Sequence, residues 1–325
     1  MTAKDPHKVL RRHGGSLDAA RAAFPAARLP WIDLSTGVNP YPWRGLRPGR
    51  GDITRLPDPN DIAGLEAKAA AAFGCDPACI AAVPGADIGL RFMPTLTQAA
   101  SVAIVSPTYG GHAEAWPNAN AISRDSIPKW KDDAVVVVNP NNPDGGVTPK
   151  ETLLAHKNWL IVDESFADAM PEISVASHVR GRLIVLRSFG KFYGLPGLRL
   201  GFIVAAPDMI ARVRAMTGDW PVSADAIRLG AAAYADTAWQ TRTRARLTKT
   251  ARRLDKLLAR HGFHIVGGTP LFRLAHRPDA AACFQRLGEA GILVRPFEDA
   301  PTQLRFGLPA PAAWSRLEAA LKACS

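Results

Sequence analysis

The sequence predicts an α/β protein with a large domain on a mostly parallel sheet and a smaller α+β C-terminal domain. Two observations favour the parallel sheet: several short segments are apolar on both faces, and helical segments separate them. A third observation marks the small domain, since long helices replace this alternation after about Ala215. The 325 residues suffice for two cores. We therefore expect an N-terminal arm at 1–30, a large domain at 31–215 and a small domain with its connecting helix at 216–325.

The large domain follows an irregular arm with one short helix, around Leu17 to Phe24. The segment 60–74 predicts a helix that Asn60 or Asp61 caps at its start and a glycine follows at its end. Five apolar segments then predict the strands of the sheet: "CIAAV", "SVAIV", "AVVVV", "NWLIVD" and "RLIVL". Turns or helices follow these segments, as a doubly wound sheet requires.

The small domain begins with helical segments over 222–262. "FHIV" and "PLFRLA" predict strands, and a helix ends before Gly291. "ILVRPF" and "TQLRFGL" each predict one further strand. The last helix places Trp314, Leu317 and Leu321 on one face, which predicts that this face is buried.

Composition narrows the classes of protein to consider. No apolar run approaches the about 18 residues that cross a bilayer, and "MTAKDPHKVLRRHGG" lacks the apolar core of a secretory signal. We therefore expect a cytoplasmic protein with no membrane partner. The net charge of +11 suits nucleic acid or small anions, but no recognition motif accompanies the basic segment 241–262, so we expect no nucleic-acid partner. No Cys/His set completes a metal site around the cysteines, so we expect no metal and reduced thiols at Cys75, Cys79, Cys283 and Cys324.

Polar or glycine positions follow the five apolar segments of the predicted sheet. They are Gly85, Tyr109, Asn142, Asp163 and Lys191. Ligands of doubly wound sheets bind beyond the carboxyl ends of the strands. We therefore expect these five positions to share one edge of the sheet and to form a ligand site there.

The residue types at this edge predict its chemistry. Desolvation near aromatic residues, with Arg199 as a second cation, would lower the pKa of Lys191 and make its amine a nucleophile for Schiff-base formation. Asp163 ends an apolar strand and needs a cationic partner, for which a protonated pyridine nitrogen is one candidate. "GADIGL" places backbone N–H groups at a helix start, where they can bind an anion. Ser188 and Arg199 would add a hydroxyl and a guanidinium to the same anion.

Each of these positions also has a plainer interpretation. Lys191 could be a surface lysine, Asp163 part of a structural ion pair, and the glycine of "GADIGL" a simple turn. Tyr109 could be a core aromatic residue, and Asn142 an ordinary turn residue. Taken together, they predict a phosphorylated pyridine aldehyde that is bound through a lysine. In that arrangement Tyr109 would lie on the ring, and Asn142 would donate a hydrogen bond to a ring oxygen.

Three segments carry a family resemblance: "NPNNPDG", "VDES" and "SFGKFYGLPGLRLGF". In this order and spacing they resemble the aspartate-aminotransferase-like, fold-type I enzymes that use pyridoxal 5′-phosphate. The resemblance spans nearly the whole chain. It implies the fold-type I transferase fold, pyridoxal 5′-phosphate in the large domain, and a homodimer with its active sites at the subunit interface.

The resemblance also implies a role for each matching residue. Lys191 would form the Schiff base and Asp163 would pair with the pyridine nitrogen, which makes these two the catalytic residues. Asn142 would donate to the ring 3-oxygen, and Tyr109 would stack on the ring. The cofactor phosphate would be held by Ala86, Asp87, Ser188 and Arg199.

Within this superfamily the chain resembles two families, threonine-phosphate decarboxylase and histidinol-phosphate aminotransferase. "HGGS", "DLSTGVNPYP" and Phe166, which stands where aminotransferases usually have tyrosine, favour the decarboxylases. That family converts L-threonine O-3-phosphate to (R)-1-amino-2-propanol O-2-phosphate and CO₂ in cobalamin biosynthesis. Histidinol-phosphate transamination and L-serine O-phosphate decarboxylation are the alternatives. The small phosphorylated substrate would be bound by His13, Ser35, Asn39, Arg295 and Arg305.

Two residues depart from the pattern of the family. Leu56 stands where relatives usually have a tyrosine whose hydroxyl reaches the cofactor phosphate of the neighbouring subunit. The resemblance therefore does not extend to that contact. Asp144 replaces the usual threonine of the asparagine-rich turn, a position where either residue is tolerated.

Overall fold

The computed structural model describes residues 5–46 and 54–324. The chain divides into two compact units, which we call the large unit and the small unit. The large unit comprises Pro42–Asn142 and Gly146–Thr243, and the small unit comprises Met1–Tyr41, Pro143–Gly145 and Arg244–Ser325. The domain boundaries that the sequence suggests, at residues 30 and 215, stay a prediction.

The described residues of the two units form thirteen strands and twelve α-helices. The strands are β1 (Ile32–Asp33), β2 (Ile80–Val83), β3 (Val102–Val105), β4 (Asn120–Ile122), β5 (Ala134–Val138), β6 (Trp159–Asp163), β7 (Leu183–Ser188), β8 (Gly201–Val204), β9 (His264–Thr269), β10 (Phe272–His276), β11 (Ile292–Leu293), β12 (Arg295–Pro296) and β13 (Gln303–Gly307). The helices are α1 (Pro6–Arg12), α2 (Leu17–Ala23), α3 (Pro59–Phe73), α4 (Ala86–Thr97), α5 (Gly110–Ala115), α6 (Lys150–Leu154), α7 (Phe189–Phe192), α8 (Pro207–Thr217), α9 (Ala224–Ala235), α10 (Thr237–Arg260), α11 (Ala280–Glu289) and α12 (Trp314–Lys322).

In the described part of the large unit, seven strands form one sheet in the order β2-β8-β7-β6-β5-β3-β4. Strands β4, β3, β5, β6 and β7 pair in parallel, and β8 runs antiparallel to both β7 and β2. Strand β2 therefore runs in the same direction as the parallel strands. The predicted α/β class with a mostly parallel sheet is confirmed, whereas β4 and β8 were not among the predicted strands.

Helices on the sheet complete the core of the large unit. Every residue of β2, β3 and β5 is buried, as the valine- and alanine-rich sequence of these strands predicts. Helix α4 adds Leu90, Met93 and Leu96 to the same core, at helical spacing. This rigid sheet fixes the positions at which the loops of the site begin.

The start of α3 differs from the prediction. The helix begins at a proline, and Asp58 is its N-cap, whereas the sequence suggested Asn60 or Asp61. Proline is favoured at the first helical position, because a backbone N–H there would have no acceptor within the helix and proline has none. With Pro59 as the first helical residue, the cap lies two or three residues upstream of the predicted ones. Asp61 instead accepts a hydrogen bond from the Asp58 backbone N–H, at 3.3 Å. Gly74 ends the helix in a left-handed conformation, with φ of 71°, as expected.

The small unit contains an antiparallel sheet in the order β12-β13-β10-β9. Strand β1 pairs in parallel with β11, and α1 adds a second helix to the arm, which was predicted to hold one. The segment "ILVRPF" was predicted as one strand but forms two, β11 and β12, which pair with different partners. The chain changes sheets at Val294, and Pro296, which has no N–H to donate, ends the second strand.

The described residues add three further observations. No helix within 5–46 and 54–324 is long and apolar enough to cross a membrane. In the same residues, no group of three or more His, Cys, Asp or Glu side chains is arranged to hold a metal ion. The four cysteines carry free thiols.

Candidate active site

One edge of the large sheet collects the predicted cofactor residues. Asp163 is the last residue of β6, and Lys191 lies in α7, directly after β7. Gly85, Tyr109 and Asn142 follow β2, β3 and β5 in the same way. Because all five strands run in one direction, their carboxyl ends share this edge. The antiparallel β8 starts at the same edge, which brings Arg199 there as well.

The N-terminus of α4 forms an anion-binding turn. Its N-cap, Gly85, has a φ of 96°, and a Cβ at this position would lie 2.7 Å from Nη2 of Arg199. The guanidinium therefore lies directly against the glycine backbone. The first N–H groups of this 12-residue helix, beginning at Ala86, have no acceptor within the helix. With Ser188 at the end of β7, this turn offers the donors that a phosphate needs.

Asp87 contributes its backbone rather than its carboxylate to this turn. Oδ1 of Asp87 accepts from the Tyr109 hydroxyl at 3.3 Å, and Oδ2 accepts from Nε of Arg91 at 3.3 Å. Burial, together with the Asp87 charge, raises the pKa of Tyr109 to about 12. The tyrosine is therefore a neutral phenol at pH 7, and its ring is fixed at the edge of the site.

The buried Asp163 carboxylate is held by two residues. Its Oδ2 lies 2.9 Å from Nε2 of His112, whose side chain is fully buried. Its Oδ1 accepts from the Ser165 backbone N–H at 2.9 Å and from the Ser165 hydroxyl at 2.5 Å. Burial raises the pKa of Asp163, but the bonds from His112 and Ser165 outweigh it, so the pKa is lowered. Three of the carboxylate's about four lone-pair sites are used, which leaves room for one further donor.

His112 is a site residue that the sequence analysis did not identify. It lies in α5, three residues after Tyr109, and the two rings meet edge to face at 6.1 Å. Spacing of three residues places side chains on one helix face, and this is the signal that could have found it. Within residues 5–46 and 54–324, its Nδ1 has no hydrogen-bond partner.

Stacked aromatic rings support the turn that carries Lys191. Phe189 stacks on Tyr193 at 4.5 Å, and Tyr193 stacks on Trp239 at 5.6 Å. A Cβ at Gly190 would lie 2.6 Å from the Pro196 Cα, so only glycine permits this tight turn. The aromatic rings fix the backbone on both sides of the lysine.

The amine of Lys191 faces an aromatic ring. Its Nζ lies 5.7 Å from the centre of the Phe166 ring, and the lysine side chain is partly buried. Phe166 is the residue that stands where the related aminotransferases usually have tyrosine. The amine thus lies over an aromatic ring face, a contact that stabilises the charged ammonium. The lowered pKa of Lys191 that the sequence suggests stays a prediction.

A buried ionic cluster lies directly behind the site. Nη1 of Arg187 donates to Oε2 of Glu164 at 2.6 Å, and Nη2 of Arg187 pairs with Oδ1 of Asp168. Arg187 precedes Ser188, and Glu164 follows Asp163, so the cluster holds the backbone of two site residues. The sequence analysis did not identify this cluster. Charged residues at the ends of apolar strands are the feature of the sequence that could have indicated it.

The asparagine-rich turn is fixed by the two asparagines before Asn142. The Asn141 side chain accepts from Oγ1 of Thr108 at 2.7 Å and donates to the Pro107 carbonyl at 3.0 Å. Oδ1 of Asn139 accepts from the Thr148 backbone N–H at 2.9 Å. These bonds fix the point at which the turn leaves the sheet, and therefore the backbone position of Asn142.

The predicted substrate residues all belong to the small unit. Arg295 and Arg305 face each other on β12 and β13. Burial and the charge of Arg295 lower the pKa of Arg305 to about 9, so it stays protonated at pH 7. Like charges directly opposite each other on a sheet are unfavourable, and an anion between them relieves the repulsion.

Backbone carbonyls hold both arginines in place. Nη2 of Arg305 donates to the Ser35 carbonyl at 2.7 Å. Nη1 and Nη2 of Arg295 donate to the carbonyls of Leu10 and Arg12, at 2.8 and 2.5 Å. These carbonyls are neutral acceptors, so their hydrogen bonds position the two guanidinium groups without supplying a counter-charge. Asp33 is an acidic residue whose charge acts on Arg305.

The other three predicted substrate residues have roles within the small unit. The Ser35 hydroxyl donates to Oδ1 of Asp33 at 2.6 Å and accepts from the Gly15 backbone N–H at 2.7 Å. Oδ1 of Asn39 accepts from the backbone N–H of Tyr41 at 2.8 Å. His13 is the C-cap residue of α1 and is partly buried. Contact of these side chains with a substrate stays a prediction.

Comparison with known proteins decides the family. Residues 31–323 match the family described as aminotransferase class I and II. The chain belongs to this family. The family resemblance that the sequence motifs indicated is thereby confirmed, and so is the fold class.

Curated members of the aminotransferase class I and II family include two relatives at 38% identity. Both are named threonine-phosphate decarboxylase. The protein from Pseudomonas aeruginosa aligns over 95% of this chain and 96% of its own, and that from Sinorhizobium sp. over 94% and 95%. A histidinol-phosphate aminotransferase from Geobacter sp. is more distant, at 27% identity over 83% of this chain and 84% of its own.

Solved structures of the family share the fold. A putative histidinol-phosphate aminotransferase from Erwinia carotovora has a TM-score of 0.79 and 20% identity, covering 90% of this chain and 95% of that one. L-threonine-O-3-phosphate decarboxylase from Porphyromonas gingivalis has a TM-score of 0.74 and 22% identity, covering 90% and 99%. At this level of identity the likeness supports the fold alone.

Proposed function

We propose that this protein is a pyridoxal 5′-phosphate-dependent decarboxylase that converts L-threonine O-3-phosphate to (R)-1-amino-2-propanol O-2-phosphate and CO₂. The observation that carries the proposal is the 38% identity, over nearly the full chain, to two proteins named threonine-phosphate decarboxylase. The place of this reaction in cobalamin biosynthesis follows from the enzyme name.

The donor set of the large unit fits the proposed cofactor. A buried carboxylate with a lowered pKa, Asp163, suits a protonated pyridine nitrogen. The glycine turn at the start of α4, with Arg199 against it, suits a phosphate. Lys191 suits an aldehyde, and Tyr109 offers a neutral ring for stacking. When bound, the cofactor supplies an electron sink for the bonds at the substrate α-carbon.

Within this proposal Lys191 has two tasks. It would hold the cofactor through its Nζ, and the same Nζ would be the group that delivers a proton to the substrate α-carbon. Asp163 keeps the ring nitrogen protonated, and Asn142 donates to the ring 3-oxygen. These tasks need an amine that can be uncharged and a carboxylate that stays charged, and the lowered pKa of Asp163 supports the second requirement.

The arginines of the small unit would select the bond that is cleaved. We assign the substrate carboxylate to Arg305 and the substrate phosphate to Arg295. Which bond at the α-carbon breaks depends on the orientation in which the substrate is held. Fixing two anions of one small molecule restricts that orientation strongly, so this is catalysis by positioning.

The first test is release of CO₂ from L-threonine O-3-phosphate by cofactor-loaded protein without any keto acid. We expect sustained release over many turnovers. Aminotransferase activity on histidinol phosphate requires a keto-acid acceptor, so dependence of product formation on 2-oxoglutarate would contradict the decarboxylase. L-serine O-phosphate differs by one methyl group, worth only ~1–3 kcal/mol of discrimination, so it should be tested in parallel.

A second prediction concerns the residue that the sequence analysis did not identify. In His112→Phe, Asp163 loses a hydrogen bond while staying buried, so its pKa rises and it pairs less well with the ring nitrogen. We expect cofactor binding to weaken about 10- to 100-fold, the value of a hydrogen bond to a charged group. The loss should be larger at pH 6 than at pH 8, because the raised pKa leaves more of the carboxyl protonated at low pH.

Absorbance titration with pyridoxal 5′-phosphate at the two pH values measures this effect. His178→Ala, at an exposed position of the same unit, is the matched control and should bind the cofactor like the wild type. Equal affinities for His112→Phe and the wild type at both pH values would show that His112 does not act on Asp163.

We further propose a cytoplasmic homodimer. A groove between α3 and α9, with a volume of about 540 Å³, supports the dimer, since alanines of α9 line it beside Leu56. Leu56 is 61% exposed and adds an apolar side chain to this groove. Light scattering of the purified protein gives the mass in solution, and a monomer at micromolar concentration would contradict this proposal.

A further inference from the structure

A short turn of the chain crosses from one unit to the other beside a proposed cofactor residue. The chain leaves the large unit after Asn142 and returns to it at Gly146, and the three residues between belong to the small unit. Pro143 follows Asn142 directly, so whatever holds this turn also limits the position of Asn142. We call residues Pro143–Gly145 the crossing turn.

Two consecutive glycines of β9 contact the crossing turn through their backbones. A Cβ at Gly267 would collide with the backbone carbonyl of Asp144. A Cβ at Gly145 would lie 2.6 Å from the Gly268 Cα and closer still to the Gly268 carbonyl. The contact is therefore between backbones, and any side chain at Gly267 would push the turn away. We call Gly267 and Gly268 the glycine notch.

The glycine notch lies in a well-supported strand. Strand β9 is hydrogen-bonded to β10, and β10 to β13, which carries Arg305. At the notch, Gly267 and Gly268 are in register with Leu274 and Arg273, and a register shift follows directly, between Leu274 and Ala275. A backbone contact with a paired strand leaves the crossing turn little freedom, because no side chain can adjust by changing rotamer.

We propose that Gly267 and Gly268 are positioning residues, which hold the crossing turn and thereby place Asn142 to donate to the cofactor ring oxygen. The inference rests on the proposed function, since it takes pyridoxal 5′-phosphate as the ligand of Asn142.

The readout is the pH midpoint at which the visible absorbance band of the bound cofactor changes. A hydrogen-bond donor stabilises the negative charge on the ring oxygen most when the neighbouring lysine nitrogen has lost its proton. The donor therefore favours the deprotonated form, and its loss raises the pH midpoint. For Asn142→Ala we expect a rise of about one to two pH units, the size that one hydrogen bond to a charged group produces. Gly267→Ala should raise the midpoint in the same direction, by up to that amount.

The double variant separates positioning from general loss of packing. If Gly267 acts through Asn142, then Gly267→Ala adds nothing to the midpoint in the Asn142→Ala background. Val266→Ala, at the exposed preceding position of β9, is the matched control and should leave the midpoint unchanged. Circular dichroism checks that each variant folds. Should Gly267→Ala fail to fold, Gly145→Ala disturbs the same contact from the other side and should give the same rise.

Two results would overturn the inference while leaving the proposed function intact. One is a folded Gly267→Ala protein whose midpoint equals that of the wild type. The other is a double variant in which the two shifts add. Absence of any cofactor band in the wild-type protein with pyridoxal 5′-phosphate would instead refute the proposed function, and the positioning role with it.

Discussion

Replacing Lys191 with alanine is expected to abolish the visible absorbance band of the bound cofactor and to reduce decarboxylation by more than about 10³-fold. The size follows from the two tasks assigned to one amine, covalent attachment and return of a proton to the substrate α-carbon. Loss of a positioned proton donor alone costs about 10²- to 10⁴-fold. Absorbance spectra and CO₂ release on the same preparations measure both effects.

Two controls sharpen this experiment. Lys157→Ala, at an exposed position of the large unit, should keep both the band and the activity. Lys191→Arg keeps the positive charge but cannot attach the cofactor, so it should lose the band as Lys191→Ala does. Survival of both band and activity in Lys191→Ala would refute the assignment of this lysine and the proposed cofactor chemistry.

Local sequence patterns sufficed for five of the seven strands that the structure describes in the large sheet, and for one edge of that sheet. The strands that precede Asp163 and Lys191 are short, apolar and bounded by turn residues, so their position could be predicted without any tertiary information. Strand direction then follows from the helices between them. Strand β8 was not among the predicted strands. Its antiparallel position between β2 and β7 depends on tertiary pairing, which no local pattern indicates.

Long-range contacts explain what the sequence did not indicate. His112 and Asp163 are 51 residues apart, and nothing local to either residue predicts their hydrogen bond. The glycine notch is a further example, since a pair of glycines in a strand has many possible reasons. The buried partners of Arg187 are likewise set by packing, because the sequence shows three charged residues but not that they meet.

Arg187→Met is expected to lower the free energy of unfolding by about 3–5 kcal/mol, the usual cost of removing one partner from a buried ion pair. The Arg187 side chain is 3% exposed and those of Glu164 and Asp168 are 0% and 9% exposed, so water cannot replace the guanidinium. Both carboxylates raise the pKa of Arg187 despite its burial, which identifies them as its partners. Arg182→Met, at an exposed position just before β7, should stay within about 0.5 kcal/mol of the wild type.

The pH dependence of the stability of the Arg187→Met variant tests the carboxyl partner of the same cluster, Glu164. Burial already raises the pKa of Glu164, and without Arg187 nothing cationic offsets it. The folded variant then binds protons that the unfolded chain has released, so its stability falls as the pH rises above about 4.3, the ordinary pKa of glutamate. Urea unfolding of the variant should therefore show a lower midpoint at pH 8 than at pH 5, with a larger difference than in the wild type. Adding Glu164→Gln removes the titrating group and should make the two midpoints converge, whereas an unchanged difference would mean that Glu164 is not the carboxyl that Arg187 neutralises.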